Sequence, residues 1–436
     1  MQAGFQSAAN IPELRRRITY TFLMLAVYRI GVQIPTPGIN GEALTAFFQK
    51  NAGTLFDMFN MFSGGALENF SIFALGIMPY ISASIIFQLL TVVIPQLEAL
   101  SKEGESGRRK ITQYTRYATV ALSLVQGMFI SIGLESMAAP DGGAMIVNHS
   151  GWAFRLMTMV TLTSGTAFIM WLGEQMSERG IGNGISLIIT AGIVARMPAA
   201  IAKTFKMVGA GDMTLFFLPI LLVMMLLVIG VIIFFETAQR RIPIQYAKRI
   251  VGRQMYGGQQ SHLPLKINMS GVIPPIFASS IMMFPATIGG FIKVDWVQRV
   301  SSYLQWGSPL HTAMYIGFIV FFCFFYTAVT FNPVDVAENL KKNGGFIPGI
   351  RPGKKSAEFI DKIMVRLTVI GAIYVSAVCV LPTILVRQLN VPFYFGGTAL
   401  LIVVGVAIDT ISQIEAHTVM RNYDGFLKTG RIRGRR

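Results

Sequence analysis

The chain has 436 residues, of which 53% are hydrophobic and only 13% charged, and its formal net charge is +16. Soluble domains carry about 25% charged residues, so this composition argues against a soluble globular protein. The basic excess fits either nucleic-acid binding or the basic loops of a membrane protein, and the positions of the charges decide between the two.

Ten segments are apolar enough to be membrane spans, each of which requires about 20 mainly apolar residues in a helix. They occupy residues 18–34, 74–94, 118–134, 156–172, 181–195, 215–235, 272–292, 314–331, 367–386 and 391–414. The first is interrupted by Arg29, the fifth is short, and the tenth carries Asp409. The sequence therefore predicts an all-α membrane protein with ten transmembrane helices.

The basic residues fix the predicted orientation of these spans. With the N-terminus inside, the segments that face the cytoplasm hold 28 of the 37 Lys and Arg residues. Because basic loops are retained in the cytoplasm, we expect both termini there. If the ten spans divide into two groups of five, the first spans of the two groups start on opposite sides of the membrane. This predicts two halves of inverted topology with a site between them. The predicted parts are an N-terminus (1–17), two halves (18–202 and 203–415) and a basic tail (416–436).

Two predicted cytoplasmic loops, 236–270 and 332–366, are longer than a simple connection requires. Both mix basic, aromatic, Gly and Pro residues. Retention in the cytoplasm by positive charge accounts for part of this composition. The length of the loops favours a structured surface that docks a partner.

Residues 57–73, between the first two spans, are apolar but too short and too interrupted by glycine to cross a membrane. The charge distribution places them outside, where exposed Phe and Met side chains would be costly. Irregular backbone at membrane depth is tolerated only where protein or a cavity covers it. We therefore expect a re-entrant segment that could close a funnel, and the alternative is an amphipathic helix at the membrane surface.

The second span carries two further patterns. Ile77, Ile81 and Ile85 recur every four residues and form one stripe on a helix. This spacing alone favours core packing or contact with lipid over any special role. Ser82, Ser84, Gln88 and Thr91 lie on the same span, and such polar groups favour surroundings of protein or water.

Catalytic and ligand-binding motifs do not stand out. The four histidines are scattered without metal-ligand spacing, and the glycine-rich GIGNG at 180–184 joins two apolar segments, as a turn does. Ion-coupled transporters place ionisable groups in mid-membrane, but Arg29, Glu174 and Asp409 form no evident cluster. The sequence predicts a passive conduit, with no enzymatic activity, no cofactor and no metal.

Six motifs resemble the SecY family, and the resemblance extends over essentially the whole chain. They are NMFSGG at 60–65, ALGIMPYI at 74–81, KEGESGRR at 102–109, ERGIGNG at 178–184, GIRPG at 349–353 and FGGT at 395–398. The resemblance implies two five-helix halves around a central hourglass pore, with a re-entrant plug helix at about 60–73.

The resemblance also implies roles for individual residues. The pore ring would consist of Ile77, Ile81, Ile189, Ile276 and Ile402. The plug would include Asn60, Met61, Phe62, Ser63, Gly64, Gly65, Ala66 and Leu67. Ser82, Gln88 and Thr91 would line a lateral gate, and Arg249 and Arg351 would dock a motor or the ribosome.

The function implied by the family is that of the central pore-forming subunit of a protein translocase in the bacterial inner membrane. Such a subunit passes unfolded preproteins across the membrane and releases transmembrane segments laterally into the lipids. The implied partners are the membrane subunits SecE and SecG, the SecA motor ATPase, the ribosome and signal sequences. The alternative is a ten-helix secondary transporter of a small solute.

Overall fold

The computed structural model describes residues 11–41, 43–45, 60, 63–135, 147, 149–210, 216–246, 249–251, 254–256, 260–291, 308–389 and 397–429. Most of these residues are helical. The helices are α1 (Pro12–Val32), α2 (Met78–Val93), α3 (Pro95–Lys102), α4 (Glu105–Glu135), α5 (Trp152–Arg179), α6 (Gly184–Gly209), α7 (Phe217–Thr237), α8 (Ile273–Phe291), α9 (Pro309–Thr330), α10 (Pro333–Lys342), α11 (Lys354–Leu389) and α12 (Gly397–Thr429). The strands are β1 (Gln239–Tyr246), β2 (Arg249–Val251), β3 (Gln254–Tyr256), β4 (Gln260–Lys266) and β5 (Gly345–Phe346).

The chain forms two compact units. The first comprises Met1–Lys206, Met283–Trp306 and Ile402–Arg436, and it contains α1 to α6. The second comprises Met207–Met282 and Gly307–Leu401, and it contains α7, the strands and α9 to α11.

Each of the ten predicted spans overlaps a helix in the described part of the chain. Among the described residues, seven helices are long and apolar enough to cross a membrane, namely α4, α5, α6, α7, α9 with its continuation into α10, α11 and α12. The count rises to eight if α2 and α3 are one broken span. α1 begins with Glu13 and three arginines and carries Arg29 near its end, and the apolar stretch of α8, Ile273–Met282, is short. The number of ten spans stays a prediction.

Proline sets the limits of α2 and α3. α2 starts at Met78, four residues later than predicted, and Pro79 lies in its first turn. Proline is tolerated there because backbone N–H groups in the first turn have no partner within the helix. Pro95 disfavours a helical conformation at the preceding residue, and Ile94 is extended, with φ −99° and ψ 113°. α3 therefore leaves α2 at a bend of 100°.

The two predicted cytoplasmic loops share one small sheet in the second unit. β1 pairs antiparallel with β4, from Gln239 opposite Lys266 to Gln245 opposite Gln260, and β5 of the later loop pairs with β1 as well. Apolar residues from both loops and from α11 form the core beside this sheet, and they are Ile242, Leu265, Ile347, Ile360, Met364 and Leu367. The two loops thus fold together, in agreement with the expectation that they are structured.

Candidate functional site

The re-entrant segment (residues 60–73) passes through the interior of the first unit. Asn60, Ser63, Ala66, Phe70 and Phe73 are all buried, each at most 2% exposed. From residue 63 onward the segment consists of consecutive turns, whereas the family resemblance implied a helix. The two glycines at 64 and 65 have φ values of 68° and 90°, which a right-handed helix does not permit. Met61 and Phe62 of the predicted plug lie outside the described residues.

Asn60 closes the first turns of this segment. Its Oδ1 accepts a hydrogen bond from the Glu68 backbone N–H at 3.0 Å, and its Nδ2 donates to Glu68 Oε2 at 3.0 Å. The Gly65 N–H donates to the Asn60 carbonyl at 2.8 Å. These bonds satisfy backbone groups that would otherwise be left unpaired in an irregular and buried stretch.

The far end of the segment pairs with the extended chain that follows α1. The Thr36 N–H donates to the Phe70 carbonyl at 2.9 Å, and the Ile72 N–H donates to the Ile34 carbonyl at 3.0 Å. An isolated antiparallel bridge joins Pro35 and Ser71 between these two bonds. The segment is therefore attached to the chain that leaves the C-terminal end of α1.

Side chains of the segment pack against α1, α4 and α5. The hydrophobic cluster of Leu67 and Phe70 includes Leu134 of α4 and Leu162 of α5. The ring of Phe73 is stacked between Tyr28 of α1 and Phe168 of α5, with centroid distances of 6.0 and 5.9 Å. Gly31 of α1 leaves the space that the Phe73 ring occupies.

The five isoleucines of the predicted pore ring are all buried. Ile77 caps the start of α2 and Ile81 lies in its first turn, while Ile189 is on α6 and Ile402 on α12, all in the first unit. Ile276 is on α8, in the second unit. Burial argues against contact with lipid at these positions. That the five meet in one ring stays a prediction.

The predicted gate residues Ser82, Gln88 and Thr91 are all half-buried on α2. Gln88 and Thr91, three residues apart, lie on one face of the helix. Thr91 Oγ1 donates to the Gln88 carbonyl at 2.7 Å, so this hydroxyl is satisfied within its own helix. Ser82 lies two turns nearer the start of the helix. Their role in a gate stays a prediction.

The two predicted docking residues lie in the second unit, in the two loops that the sequence predicts to be cytoplasmic. Arg351 is exposed in the turn between β5 and α11, where its carbonyl accepts a hydrogen bond from Ser356 Oγ at 3.0 Å. The backbone of Arg249 lies in β2, opposite Tyr256 of β3, and its side chain lies outside the described residues. Docking by either residue stays a prediction.

Three side chains contact the turn at 63–68, namely those of Tyr28, Arg29 and Arg196. Glu68, which belongs to the turn, is the partner of Arg196, and sequence reasoning did not connect these four residues. Tyr28 Oη donates to the Ser63 carbonyl at 3.1 Å, and Arg29 Nη1 donates to the Gly64 carbonyl at 3.0 Å. Arg196 Nη2 of α6 lies 3.2 Å from Glu68 Oε2. An ionisable residue inside a span is the signal that could have found Arg29, because such residues are costly and usually have a function.

The other two ionisable residues that the sequence places in or beside spans are Glu174 and Asp409. Glu174 of α5 pairs with Arg116 of α4 at 2.8 Å, and Asp409 of α12 is exposed. No group of three or more His, Cys, Asp or Glu residues within the described ranges is arranged to hold a metal ion.

Comparison with known proteins assigns the chain to a family. The SecY family model matches residues 71–411. The protein translocase subunit SecY of Pseudomonas aeruginosa is 52% identical over 432 residues, covering 98% of this chain and 96% of that protein, and the Escherichia coli K12 protein of the same name is 52% identical over 435 residues, covering 99% and 98%.

Solved structures share the fold at much lower identity. A structure described as a protein-conducting channel has a TM-score of 0.65 at 17% identity, covering 96% of this chain and 95% of that one. Sec61 from a canine ribosome–channel complex has a TM-score of 0.61 at 16% identity, with the same coverage. The fold is therefore that of protein-conducting channels, and the chain belongs to the SecY family.

Proposed function

We propose that this chain is the central pore-forming subunit of a protein translocase, which passes unfolded preproteins across the bacterial inner membrane and releases transmembrane segments into it. The observation that carries the proposal is the 52% identity to protein translocase subunits over nearly the whole chain. The shared fold with protein-conducting channels supports it.

The pore must let an unfolded chain through without leaking ions. A narrow ring of aliphatic side chains holds back water and ions, yet contacts a passing peptide without specific hydrogen bonds. Ile77, Ile81, Ile189, Ile276 and Ile402 would form this ring, and their burial supports the assignment. The re-entrant segment would add a second barrier when no chain is in transit, and its buried position within the first unit supports that role.

The lateral gate would open toward lipid at α2. A signal sequence is itself an apolar helix, and Ser82, Gln88 and Thr91 would line the path by which it leaves the pore. The half-buried state of these polar residues supports a boundary position. In this proposal SecE and SecG are the membrane partners, and both chain termini face the cytoplasm, where the basic residues accumulate.

Directionality would come from a bound partner, because the chain itself is proposed to have no enzymatic activity. The joint sheet of the two cytoplasmic loops gives the SecA motor or the ribosome a folded surface to bind. Arg351 is exposed beside this sheet, and Arg249 lies in the β2–β3 hairpin. The alternative of a secondary transporter is not favoured, since the family comparison supports a translocase and Glu174 is engaged with Arg116.

Site-specific photocrosslinking to a stalled, half-exported preprotein tests the proposal. A crosslinker at Ile81 or Ile276 should capture the preprotein, whereas one at Leu226 of α7, which is 60% exposed and faces away from the protein, should not. Equal capture at all three positions, or capture at Leu226 alone, would contradict the assignment of the pore.

A further inference from the structure

Two backbone carbonyls of the turn at 63–68 accept hydrogen bonds from outside the segment. Positive φ angles at Gly64 and Gly65 turn the chain away from a helical path, and within the segment the Ser63 carbonyl accepts a hydrogen bond from the Ala66 N–H at 3.3 Å. At membrane depth an unsatisfied carbonyl is costly. Tyr28 and Arg29, adjacent residues of α1, donate to the carbonyls of Ser63 and Gly64 at 3.1 and 3.0 Å.

Arg29 is otherwise difficult to explain. An arginine within a membrane span is costly, and it is kept where it pairs with a carbonyl or a charge and serves a function. Its hydrogen bond to the Gly64 carbonyl joins α1 to the re-entrant segment, 35 residues further along the chain. The position of Arg29 in an apolar span is thus accounted for by its contact with this segment.

A second arginine reaches the same turn from another helix. Arg196 of α6 directly follows the fifth predicted span, and its Nη2 lies 3.2 Å from Glu68 Oε2. Both side chains are partly buried, at 24% and 30% exposure, so water and salt screen the pair less than an exposed one. Asn60 Nδ2 donates to the same carboxylate oxygen at 3.0 Å and fixes its orientation.

We propose that Arg29 and Arg196 are positioning residues that clamp the re-entrant segment in its seated place, one through the Gly64 carbonyl and the other through the Glu68 carboxylate. The two clamps come from separate helices, α1 and α6. Displacement of the segment requires both to break. This inference rests on the proposed function, in which the segment closes the resting channel.

Ion conductance of the resting channel, reconstituted in vesicles with its membrane partner subunits, tests the clamp. Arg196→Glu places two carboxylates together and should raise the conductance by about 5- to 30-fold, the factor that corresponds to about 1–2 kcal/mol. Glu68→Arg should do the same. The double variant Arg196→Glu with Glu68→Arg restores an ion pair and should return most of the way to the original conductance. Arg29→Gln should raise it through the other clamp.

Arg155→Gln is the matched control. It removes the ion pair between Arg155 of α5 and Glu135 of α4, at 2.6 Å, whose carboxylate also accepts a hydrogen bond from the Gly151 N–H. The conductance should stay unchanged. Arg196→Lys, which keeps the charge, should fold with little disturbance and leave most of the seal intact.

Deletion of residues 60–73 separates failure of the clamp from failure of the plug assignment. An unchanged conductance on deletion would remove the proposed role of the segment. A raised conductance on deletion with no effect of Arg196→Glu, or single variants that the double variant does not rescue, would overturn the clamp. An equal rise in Arg155→Gln would overturn it as well, because the effect would then follow from general destabilisation.

Discussion

Replacing Gly64 by alanine is expected to unseat the re-entrant segment. A Cβ at this position would lie 2.8 Å from Gly192 Cα, a backbone atom of α6 that cannot move alone. Overpacking of this kind costs about 1–3 kcal/mol, and the positive φ of 68° adds about 1–2 kcal/mol for a residue with a side chain.

Gly65→Ala is the matched control for this change. Gly65 has a φ of 90°, but no atom lies within 4 Å of its added Cβ. The cost of a positive φ for alanine applies in both variants and opposes the folded turn wherever the segment lies. The contact with Gly192 exists only when the segment lies in the position seen in this structure. The difference between the two variants therefore isolates the approach of the segment to α6.

Ion conductance of the resting channel in vesicles measures the result. We expect Gly64→Ala to exceed Gly65→Ala by about 5- to 150-fold, the factor that corresponds to 1–3 kcal/mol. Equal conductance of the two variants would refute the reasoning, because the close packing of Gly64 on Gly192 would then not stabilise the re-entrant segment in its place.

Three further predictions concern stability and docking. Gly165→Ala on α5 should lower the free energy of unfolding by about 1–3 kcal/mol in a detergent denaturation series, because its Cβ would collide with the backbone of the re-entrant segment. The control Gly230→Ala on α7, where the added Cβ has open space, should not destabilise the protein. Asn268→Ala should cost about 2–3 kcal/mol in the same assay, because it removes the 2.7 Å hydrogen bond to the buried Glu236 carboxylate. Arg351→Glu should reduce motor-driven export in a vesicle assay at unchanged thermal stability, since its side chain is exposed, and full export activity would contradict a docking role.

The helices could be predicted because their signal is local. Each of the ten predicted apolar runs overlaps a helix, and the unsuitability of residues 57–73 as a span led to the prediction of a re-entrant segment. Boundaries were less accurate. α2 starts only at Met78, because residues 72–77 form turns and Pro79 favours the first turn of a helix. The chain that leads into these turns is paired with Ile34 and Thr36, which lie far from it in sequence.

The candidate site could be predicted as a set of apolar positions, but its polar attachments could not. Arg29 drew attention as a charge in a span, and nothing in the spacing connected it with Gly64. Arg196 and Glu68 are separated by 128 residues, and a sequence of mixed composition offers many other pairs of opposite charge.

The sequence by itself determined that this is a membrane protein of many helices with two structured basic loops, because apolar length and charge bias act within short stretches of chain. Only the tertiary structure decided that β1 pairs with β5, with Gln245 opposite Phe346, and that two arginines from separate helices hold one buried turn. Such contacts depend on where distant elements meet, and the physical rules that govern local stretches do not fix that.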